Sequence, residues 1–276
     1  MNQIIDAHIH IDQYNRDEIS QFFKEETLIA AISVSMNLDS CKQTEKLSKE
    51  FDFIKAAYGY HPEQSLPSDT SISNLFTWIE ANQSSAIALG EIGLPHYIRR
   101  KDPSSIPLQP YIEILEQFIV LAKKLKKPIV LHSIYEEADI VINLLEKHSF
   151  SNAHFHWFKG SPKTIEQMIR NNYYISLTPD FLYKNKTQQL ANLYPIEKIM
   201  VETDGPWPFE GPFIHQKTVP TMIHDTIHAL ATLKNIHYQT CTSKSYVIRK
   251  DFILFLSPKK ETDSTNQSPL FHYFTI

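Results

Sequence analysis

Short apolar runs recur along the chain, and each is followed by a stretch that contains helical periodicity. The strand-like runs lie at 4–11, 28–35, 53–60, 86–94, 128–133, 152–158, 173–179 and 199–204. Helices are predicted at about 39–50, 72–82, 107–127, 136–148, 162–171 and 218–235. The clearest is 107–127, where an i, i+3, i+4 pattern predicts one buried face made of Ile112, Leu115, Ile119, Ala122 and Leu125.

Eight strands that alternate with helices predict parallel βαβ units, and eight is the number that closes a (β/α)8 TIM barrel. An open, doubly wound sheet is the alternative. Neither GxGxxG nor GxxxxGK[ST] occurs, which disfavours a dinucleotide-binding or P-loop protein. We predict a single α/β barrel domain over 1–236, followed by a tail at 237–276 whose polar segment 257–269 suggests partial disorder.

Composition excludes several classes of protein. The chain has 276 residues with 27 basic and 31 acidic side chains, a formal net charge of −4, so bulk charge does not indicate nucleic-acid binding. Any phosphate must therefore be bound by a local site. Cys41 and Cys241 are too few for a disulfide framework, and no signal peptide or membrane-length apolar run precedes or interrupts the barrel. We expect a cytoplasmic protein that has no membrane contact.

The unusual residues fall at the carboxyl-terminal ends of the predicted strands, where barrel enzymes place their catalytic groups. In chain order these residues are His8, His10, His61, Glu91, His132, His154, His156 and Asp204. The chain has only six glycines, and all lie at or just beyond these strand ends: Gly59, Gly90, Gly93, Gly160, Gly205 and Gly211. Such confinement suggests that the backbone passes close to another group there.

His8 and His10 are two residues apart, so on a strand they point to the same face and can converge on one ion. Imidazole and carboxylate ligands suit borderline divalent metals. Four histidines and two carboxylates exceed what one tetrahedral ion needs, so two ions that share Glu91 as a bridge are predicted. His156 is preferred to His154 as the ligand from the sixth strand because it lies nearer the strand end.

Other polar and aromatic residues have both a structural and a functional interpretation. His224 and His228 form an HxxxH pair on a predicted outer helix, and this position argues against a metal role. The basic stretch 99–101 and Lys159 follow strand ends and either contact phosphate or are solvated. The nearby aromatic residues either stack nucleobases or pack the loops; they are Trp157, Phe158, Trp207, Phe209 and Phe213.

Six motifs carry a family resemblance: DAHIHID, YGYHPE, ALGEIGL, PIVLHS, HWFKG and VETDGP, in this order within residues 1–211. They resemble the TatD family of metal-dependent hydrolases, a group of amidohydrolase-like barrels. The resemblance implies a (β/α)8 barrel of the metal-dependent hydrolase type and a deoxyribonuclease activity, often 3′→5′ exonucleolytic. DNA, or RNA, is then the substrate, and no obligate protein partner is evident.

The resemblance also implies roles for individual residues. One ion would be held by His8, His10, Glu91 and Asp204, and a second by Glu91, His132 and His156. His61 matches a histidine near the substrate phosphate. Asp204 would orient the attacking water and accept its proton, so the expected catalytic residues are Asp204, Glu91 and His61. The two divalent ions would be Mg²⁺, Mn²⁺ or Zn²⁺.

Three features depart from the family pattern. Many members continue after GEIGL with an acidic residue and an aromatic, whereas this chain has Pro95, His96 and Tyr97. Members often have an arginine after HS, where Ile134 and Tyr135 stand here. Members usually close with an amphipathic helix, which is not evident after residue 237, so a divergent or frame-shifted tail is expected.

Two other functions compete with a nuclease. The first is a hydrolase of small amide, lactone or phosphate-ester substrates, because this barrel supports many chemistries. The second is a non-catalytic scaffold, which the complete set of candidate ligands disfavours.

Overall fold

Eight parallel strands form one sheet in the order β1 to β8 in the computed structural model, which describes residues 3–242. The strands are β1 Ile4–Ile9, β2 Leu28–Val34, β3 Ile54–Tyr58, β4 Ala86–Gly93, β5 Ile129–His132, β6 Ala153–Phe155, β7 Tyr174–Leu177 and β8 Ile199–Val201. Each strand pairs with the next along the chain, which is the order of a (β/α)8 barrel. The barrel prediction is confirmed, and the doubly wound alternative is wrong.

The last strand comes back to the first. Just past β8, the Asp204 N–H donates to the His8 carbonyl (2.9 Å), and the His10 N–H donates to the Gly205 carbonyl (2.8 Å). The buried carboxylate of Asp6 adds side-chain bonds across the same seam, accepting from the Thr203 N–H (3.0 Å) and hydroxyl (2.5 Å). These contacts close the barrel at the end where the histidines lie.

Helices surround the sheet. The α-helices are α1 Arg16–Lys24, α2 Leu38–Glu50, α3 Asp69–Ala81, α4 Tyr97–Lys101, α5 Leu108–Leu125, α6 Glu136–Lys147, α7 Pro162–Arg170, α8 Asn185–Leu193 and α9 Ile223–Leu233. Short 3-10 turns lie at Ile11–Gln13, Pro179–Leu182, Ile196–Lys198, Gly211–Phe213 and Pro220–Met222. Within residues 3–242, no helix combines the length and apolar character needed to cross a membrane.

Local sequence explains where several helices begin and end. The α7 helix starts where predicted, because the Ser161 hydroxyl caps the Thr164 N–H (3.1 Å) and Pro162 fits the first turn. On α5, Leu115, Ile119 and Ala122 are buried as the periodicity predicts, whereas Ile112 and Leu125 are only half-buried. The segment predicted as one helix at 218–235 is instead a 3-10 turn followed by the shorter α9.

Three helices were not anticipated: α1, α4 and α8. The α1 helix has a clear signal in retrospect, since Asn15 and Glu18 form a reciprocal capping box at its start. In contrast, α8 lacks a side-chain cap, and α4 is only five residues long and buries none of its own residues. Short or uncapped helices are held mainly by their surroundings, which periodicity does not report.

Apolar packing occurs in two layers. The large cluster joins the outer faces of the strands to the helices. A smaller cluster unites Ile32, Val34, Ala57, Ala88 and Val130 from β2 to β5. Because side chains alternate along a strand, Val130 shares a face of β5 with His132, so this cluster fills the barrel interior below the histidines.

The chain after α9 packs back on that helix. Residues 238–242 are helical, and the Tyr238 ring stacks on His228 with centroids 3.9 Å apart. The Tyr238 hydroxyl lies 2.8 Å from His224 Nδ1. The HxxxH pair thus packs against this segment on the barrel exterior. The remainder of the predicted tail, 243–276, lies outside the described residues.

Candidate metal-binding active site

The sequence-predicted site residues all converge at the carboxyl-terminal rim, meaning the ends of the strands and the loops that follow them. Glu91 on β4 is fully buried at the centre, and five imidazoles approach its two carboxylate oxygens. These are His8, His10, His61, His132 and His156. Asp204, which follows β8, completes the group next to His8 and His10.

One oxygen of Glu91 faces the β1 histidines. Glu91 Oε2 lies 3.2 Å from His8 Nε2 and 3.4 Å from His10 Nε2. Asp204 Oδ1 lies 3.3 Å and 3.6 Å from the same two nitrogens. The four residues proposed for the first ion therefore surround one small volume.

The other oxygen faces the histidines of the next strands. Glu91 Oε1 lies 2.9 Å from both His132 Nδ1 and His156 Nε2, and these two nitrogens are 3.3 Å apart. Each oxygen of Glu91 thus belongs to one of the two predicted ligand sets. This arrangement is the one that a bridging carboxylate requires.

Two glycines explain how the backbone brings Glu91 so close to its neighbours. A Cβ on Gly59 would lie 2.5 Å from the Glu91 carbonyl oxygen. A Cβ on Gly93, whose φ is +156°, would lie 1.9 Å from the His132 carbonyl oxygen. Here the expectation that scarce glycines mark a close backbone approach is confirmed.

Buried polar atoms without partners show that these residues fit a divalent cation. Within residues 3–242, His8 Nε2 and Glu91 Oε2 face each other at 3.2 Å, yet neither makes a hydrogen bond and both are buried. Leaving such groups unsatisfied is costly, whereas nitrogen and carboxylate oxygen are the donors that borderline divalent metals take. A cation between them would satisfy both.

The electrostatics of the site also favour positive charge. Burial raises the pKa of Glu91, but the imidazoles of His61, His156 and His8 outweigh it and hold the pKa well below its usual value. Burial lowers the pKa of His10, but the carboxylates of Asp204 and Glu91 outweigh this effect and raise the pKa to about 10. A bound cation would replace those protons, as metal binding to histidine generally does.

His61 differs from the other imidazoles. Its Nδ1 accepts a hydrogen bond from the Glu63 N–H (3.1 Å), so in the neutral ring the proton is on Nε2. Burial lowers the pKa of His61, which favours the neutral ring. Its Nε2, 3.3 Å from Glu91 Oε1, therefore presents an N–H rather than a lone pair. This tautomer suits a hydrogen-bond donor to a substrate better than a metal ligand.

Two carboxylates that pair with candidate ligand histidines were missed by the sequence reasoning. Glu63 Oε1 lies 3.2 Å from His132 Nε2, opposite the nitrogen that faces Glu91. Glu202 Oε1 lies 3.5 Å from His156 Nδ1, again opposite the nitrogen at Glu91. Such carboxylate–histidine pairs fix the ring and its tautomer at metal centres. Both residues lie within quoted motifs, YGYHPE and VETDGP, which were the available signal.

The structure also places the remaining candidates. His154 is buried, with Nε2 2.7 Å from the Ser176 hydroxyl, in keeping with the interior position expected of it. In the basic stretch 99–101, Arg99 pairs with Glu137 (3.2 Å). The Lys159 ammonium lies 4.1 Å above the Trp157 ring.

The rim aromatics divide between packing and exposure. Phe158, Phe209 and Phe213 are buried: Phe209 and Phe213 pack with Met222 from the later loops, and Phe158 packs against Phe155 of β6. Trp207 is 57% exposed, and its ring lies 6.1 Å from that of the half-buried Trp157. The two tryptophans are thus the members of this group that remain available to a ligand.

Comparison with known proteins agrees with this geometry. A family model described as TatD related DNase matches residues 5–252. A metal-dependent hydrolase from Haemophilus influenzae is 38% identical over 234 residues, which cover 84% of this chain and 92% of the relative. The metal-dependent hydrolase YabD from Bacillus subtilis is 26% identical over 86% of this chain and 92% of its own.

Solved structures show the same fold. The TatD homologue YjjV from Escherichia coli superposes with a TM-score of 0.79 at 22% identity, covering 92% of this chain and 99% of that one. A TatD family hydrolase from Entamoeba histolytica gives a TM-score of 0.77 at 17% identity, covering 91% and 98%. With the family match over most of its length, the chain belongs to the TatD family of metal-dependent hydrolases.

Proposed function

We propose that this protein is a divalent-metal-dependent deoxyribonuclease that removes nucleotides from DNA in the 3′→5′ direction. The observation that carries the proposal is the division of Glu91 between two sets of nitrogen ligands, with Oε2 facing His8 and His10 and Oε1 facing His132 and His156. A pair of cations bridged in this way suits phosphodiesters, because it can stabilise both the attacking and the leaving oxygen.

Bound at this site, two divalent ions would supply Lewis-acid stabilisation of the phosphate and would lower the pKa of the attacking water. The residues that hold them in this proposal are His8, His10, Glu91, His132, His156 and Asp204. The family description and the buried, unpartnered His8 and Glu91 atoms support this set. Mg²⁺, Mn²⁺ and Zn²⁺ are the ions to compare.

Asp204 is the residue placed to move the proton. Its carboxylate follows β8 at the open side of the site and is 8% exposed, whereas Glu91 is fully buried. Burial opposes ionisation, but the neighbouring imidazoles of His10 and His8 hold the pKa of Asp204 below its usual value, so it is an anion at neutral pH. In the proposed reaction Asp204 orients the attacking water and accepts its proton.

His61 and Lys159 would bind the phosphate. The Nε2–H of His61 points to the site from the end of β3, beside Glu91 Oε1. Burial lowers the pKa of the Lys159 ammonium, but the nearby carboxylates of Asp180 and Asp204 oppose this fall and so favour the charged form. A hydrogen-bond donor and a cation near the scissile group offset negative charge that builds in the transition state.

The rim offers surfaces for a nucleic-acid strand. Trp207 is exposed, and both Lys159 and Lys184 lie over the Trp157 ring, at 4.1 Å and 5.8 Å. Base stacking on tryptophan with adjacent cations is a common way to hold a single strand. DNA, or RNA, is therefore the proposed partner; we propose no obligate protein partner and place the activity in the cytoplasm.

A hydrolase of small amide, lactone or phosphate-ester substrates is the second candidate. The net charge of −4 favours it, because long-range electrostatics would not attract a polyanion to this chain. Under the first proposal the bound ions supply the positive field locally.

A panel of metals and substrates tests both. Metal-free protein is supplied with Mg²⁺, Mn²⁺ or Zn²⁺ and given end-labelled single-stranded DNA, duplex DNA, RNA, and small amide, lactone and phosphate-ester substrates. The nuclease proposal predicts metal-dependent shortening of DNA from the 3′ end, lost in His132→Ala and retained in Glu116→Gln on the outer surface of α5. Turnover of the small substrates alone would favour the second candidate, and full activity in His132→Ala would refute the site.

A further inference from the structure

Two tyrosines stand at the rim between the ends of β4 and β5. Tyr97 is 43% exposed and Tyr135 is 40% exposed. Both rings touch the His96 imidazole, with centroids 5.3 Å and 4.9 Å away. The Tyr97 ring lies 6.2 Å from that of His132, so this aromatic group begins at the candidate metal site and extends towards solvent.

The segment that carries Tyr97 is held in place by backbone contacts and not by the Tyr97 ring. The α4 helix buries none of its own residues, and its start is held by the Glu63 carboxylate. That carboxylate accepts the backbone N–H groups of His96 (2.7 Å), Tyr97 (2.8 Å) and Ile98 (2.8 Å). Since Glu63 also contacts His132, the position of Tyr97 is fixed relative to the metal site while its side chain remains available.

The other side of the aromatic group is equally constrained. The His96 ring is held by Glu137, 2.8 Å from Nδ1, and Glu137 is held in turn by Arg99. Tyr135 has φ +54° and ψ −127°, a backbone conformation that bulky residues rarely adopt. Its N–H donates to the Lys159 carbonyl (2.6 Å), yet the ring is not buried in return. Strain of this kind at a rim position is typical of a residue held for a ligand.

A phosphodiester at the metal site would bring its adjacent nucleoside to these rings. Every base has an aromatic face, so stacking on tyrosine needs no particular sequence. Burial raises the pKa of the Tyr97 hydroxyl to about 12, with the Tyr135 hydroxyl and the Glu63 carboxylate adding to the rise. The phenol is therefore neutral at physiological pH and does not repel the phosphate.

We propose that Tyr97 and Tyr135 form a stacking subsite for the single unpaired nucleobase next to the scissile phosphate. This inference rests on the proposed nuclease function. A base within a duplex has both faces covered by its neighbours, so the subsite selects a frayed or single-stranded end. The ligand class is a nucleotide at a strand terminus, recognised by its ring rather than by its sequence.

The test compares alanine and phenylalanine variants on matched substrates. Four variants are compared with wild type: Tyr97→Ala, Tyr135→Ala, Tyr97→Phe and Tyr135→Phe. Each is assayed on three single-stranded oligonucleotides, of which one is intact, one lacks the base of the last 3′ nucleotide and one lacks the base of the nucleotide before it. Phe23→Ala, which removes an exposed ring far from the rim, is the control. Oligonucleotide affinity is also measured by fluorescence anisotropy in chelator, where cleavage does not interfere. Metal content and thermal unfolding are measured for every variant.

The subsite predicts that each alanine variant loses about 5- to 150-fold in kcat/KM on the intact strand, equivalent to ~1–3 kcal/mol per stacked base. On one of the two abasic substrates wild type should itself be slow, and there the alanine variants should be no slower than wild type. The phenylalanine variants should keep wild-type rates on every substrate. Equal losses on intact and both abasic strands, or no loss, would overturn the subsite while leaving the nuclease function intact. A wild-type protein that cleaves no nucleic acid with any of the three metals would overturn both.

Discussion

Substitution of Glu91 by glutamine is the sharpest perturbation of the site, because one carboxylate belongs to both ligand sets. Glutamine keeps the size of the side chain but removes its charge and replaces one oxygen by an amide nitrogen, which does not ligate. The buried oxygens of Glu91 face His8 and His10 on one side and His132 and His156 on the other. The exchange therefore removes the ligand atom on one side and the negative charge that both sides share.

The size of the effect follows from linkage. A ligand at about 100 times its Kd stabilises the folded state by ~2.7 kcal/mol per site. For a domain of this size that corresponds to a rise in Tm of about 5–11 °C per ion, at ~2–4 °C per kcal/mol. Glu91→Gln should lose most of this metal-induced rise. It should also lose at least about a thousandfold in metal-dependent hydrolysis, equivalent to ~4 kcal/mol.

The assay is thermal unfolding followed by circular dichroism, in chelator and in saturating Mn²⁺, with hydrolysis of single-stranded DNA measured in parallel. Glu116→Gln is the matched control, since Glu116 pairs with Lys147 and His148 on the outside of the barrel. It should keep the full rise in Tm. A Glu91→Gln protein that shows the wild-type rise and rate would refute the placement of the ions.

Three further outcomes are expected. Glu202→Gln should weaken metal affinity about 10- to 100-fold, because it removes the carboxylate beside His156 Nδ1. The affinity is measured by titration against a fluorescent chelator, and an unchanged value would exclude Glu202 as the residue that orients His156. His61→Ala should lower kcat/KM for DNA with metal content unchanged by mass spectrometry, since its Nε2 bears a proton; loss of an ion would make it a ligand instead. Burial raises the pKa of the Cys41 thiol to about 12. In a Cys241→Ser variant, Cys41 should therefore react with a disulfide reagent at pH 8 only after unfolding. Rapid reaction of the folded protein would contradict the burial of Cys41.

The barrel was predictable because its signal is periodic and repeated. Eight apolar runs alternating with helices specify the topology even though individual ends are displaced; for example, the run 152–158 yields only the short β6. The helices that the sequence did not predict were missed for a different reason. The α4 helix is stabilised by Glu63, more than thirty residues earlier in the chain, and such a distant contact leaves no local pattern.

The convergence of the site residues was predictable for the same geometric reason, because all parallel strands end on one rim. The pairing of Glu63 with His132 and of Glu202 with His156 was not, because it depends on which imidazole nitrogen faces the centre. Sequence spacing gives the face of a strand but not the rotation of a ring. The contact of Tyr135 with His96 is similarly tertiary, since it joins the segments that follow β4 and β5.

Anomalous diffraction from crystals of the Mn²⁺-loaded protein tests the central claim most directly. The account predicts two peaks at the rim, each within coordination distance of one oxygen of Glu91, one beside His8 and His10 and the other beside His132 and His156. It would be contradicted by an absence of peaks at Glu91, or by Mn²⁺ bound only elsewhere, such as at the His96, Glu136 and Glu137 group outside the centre.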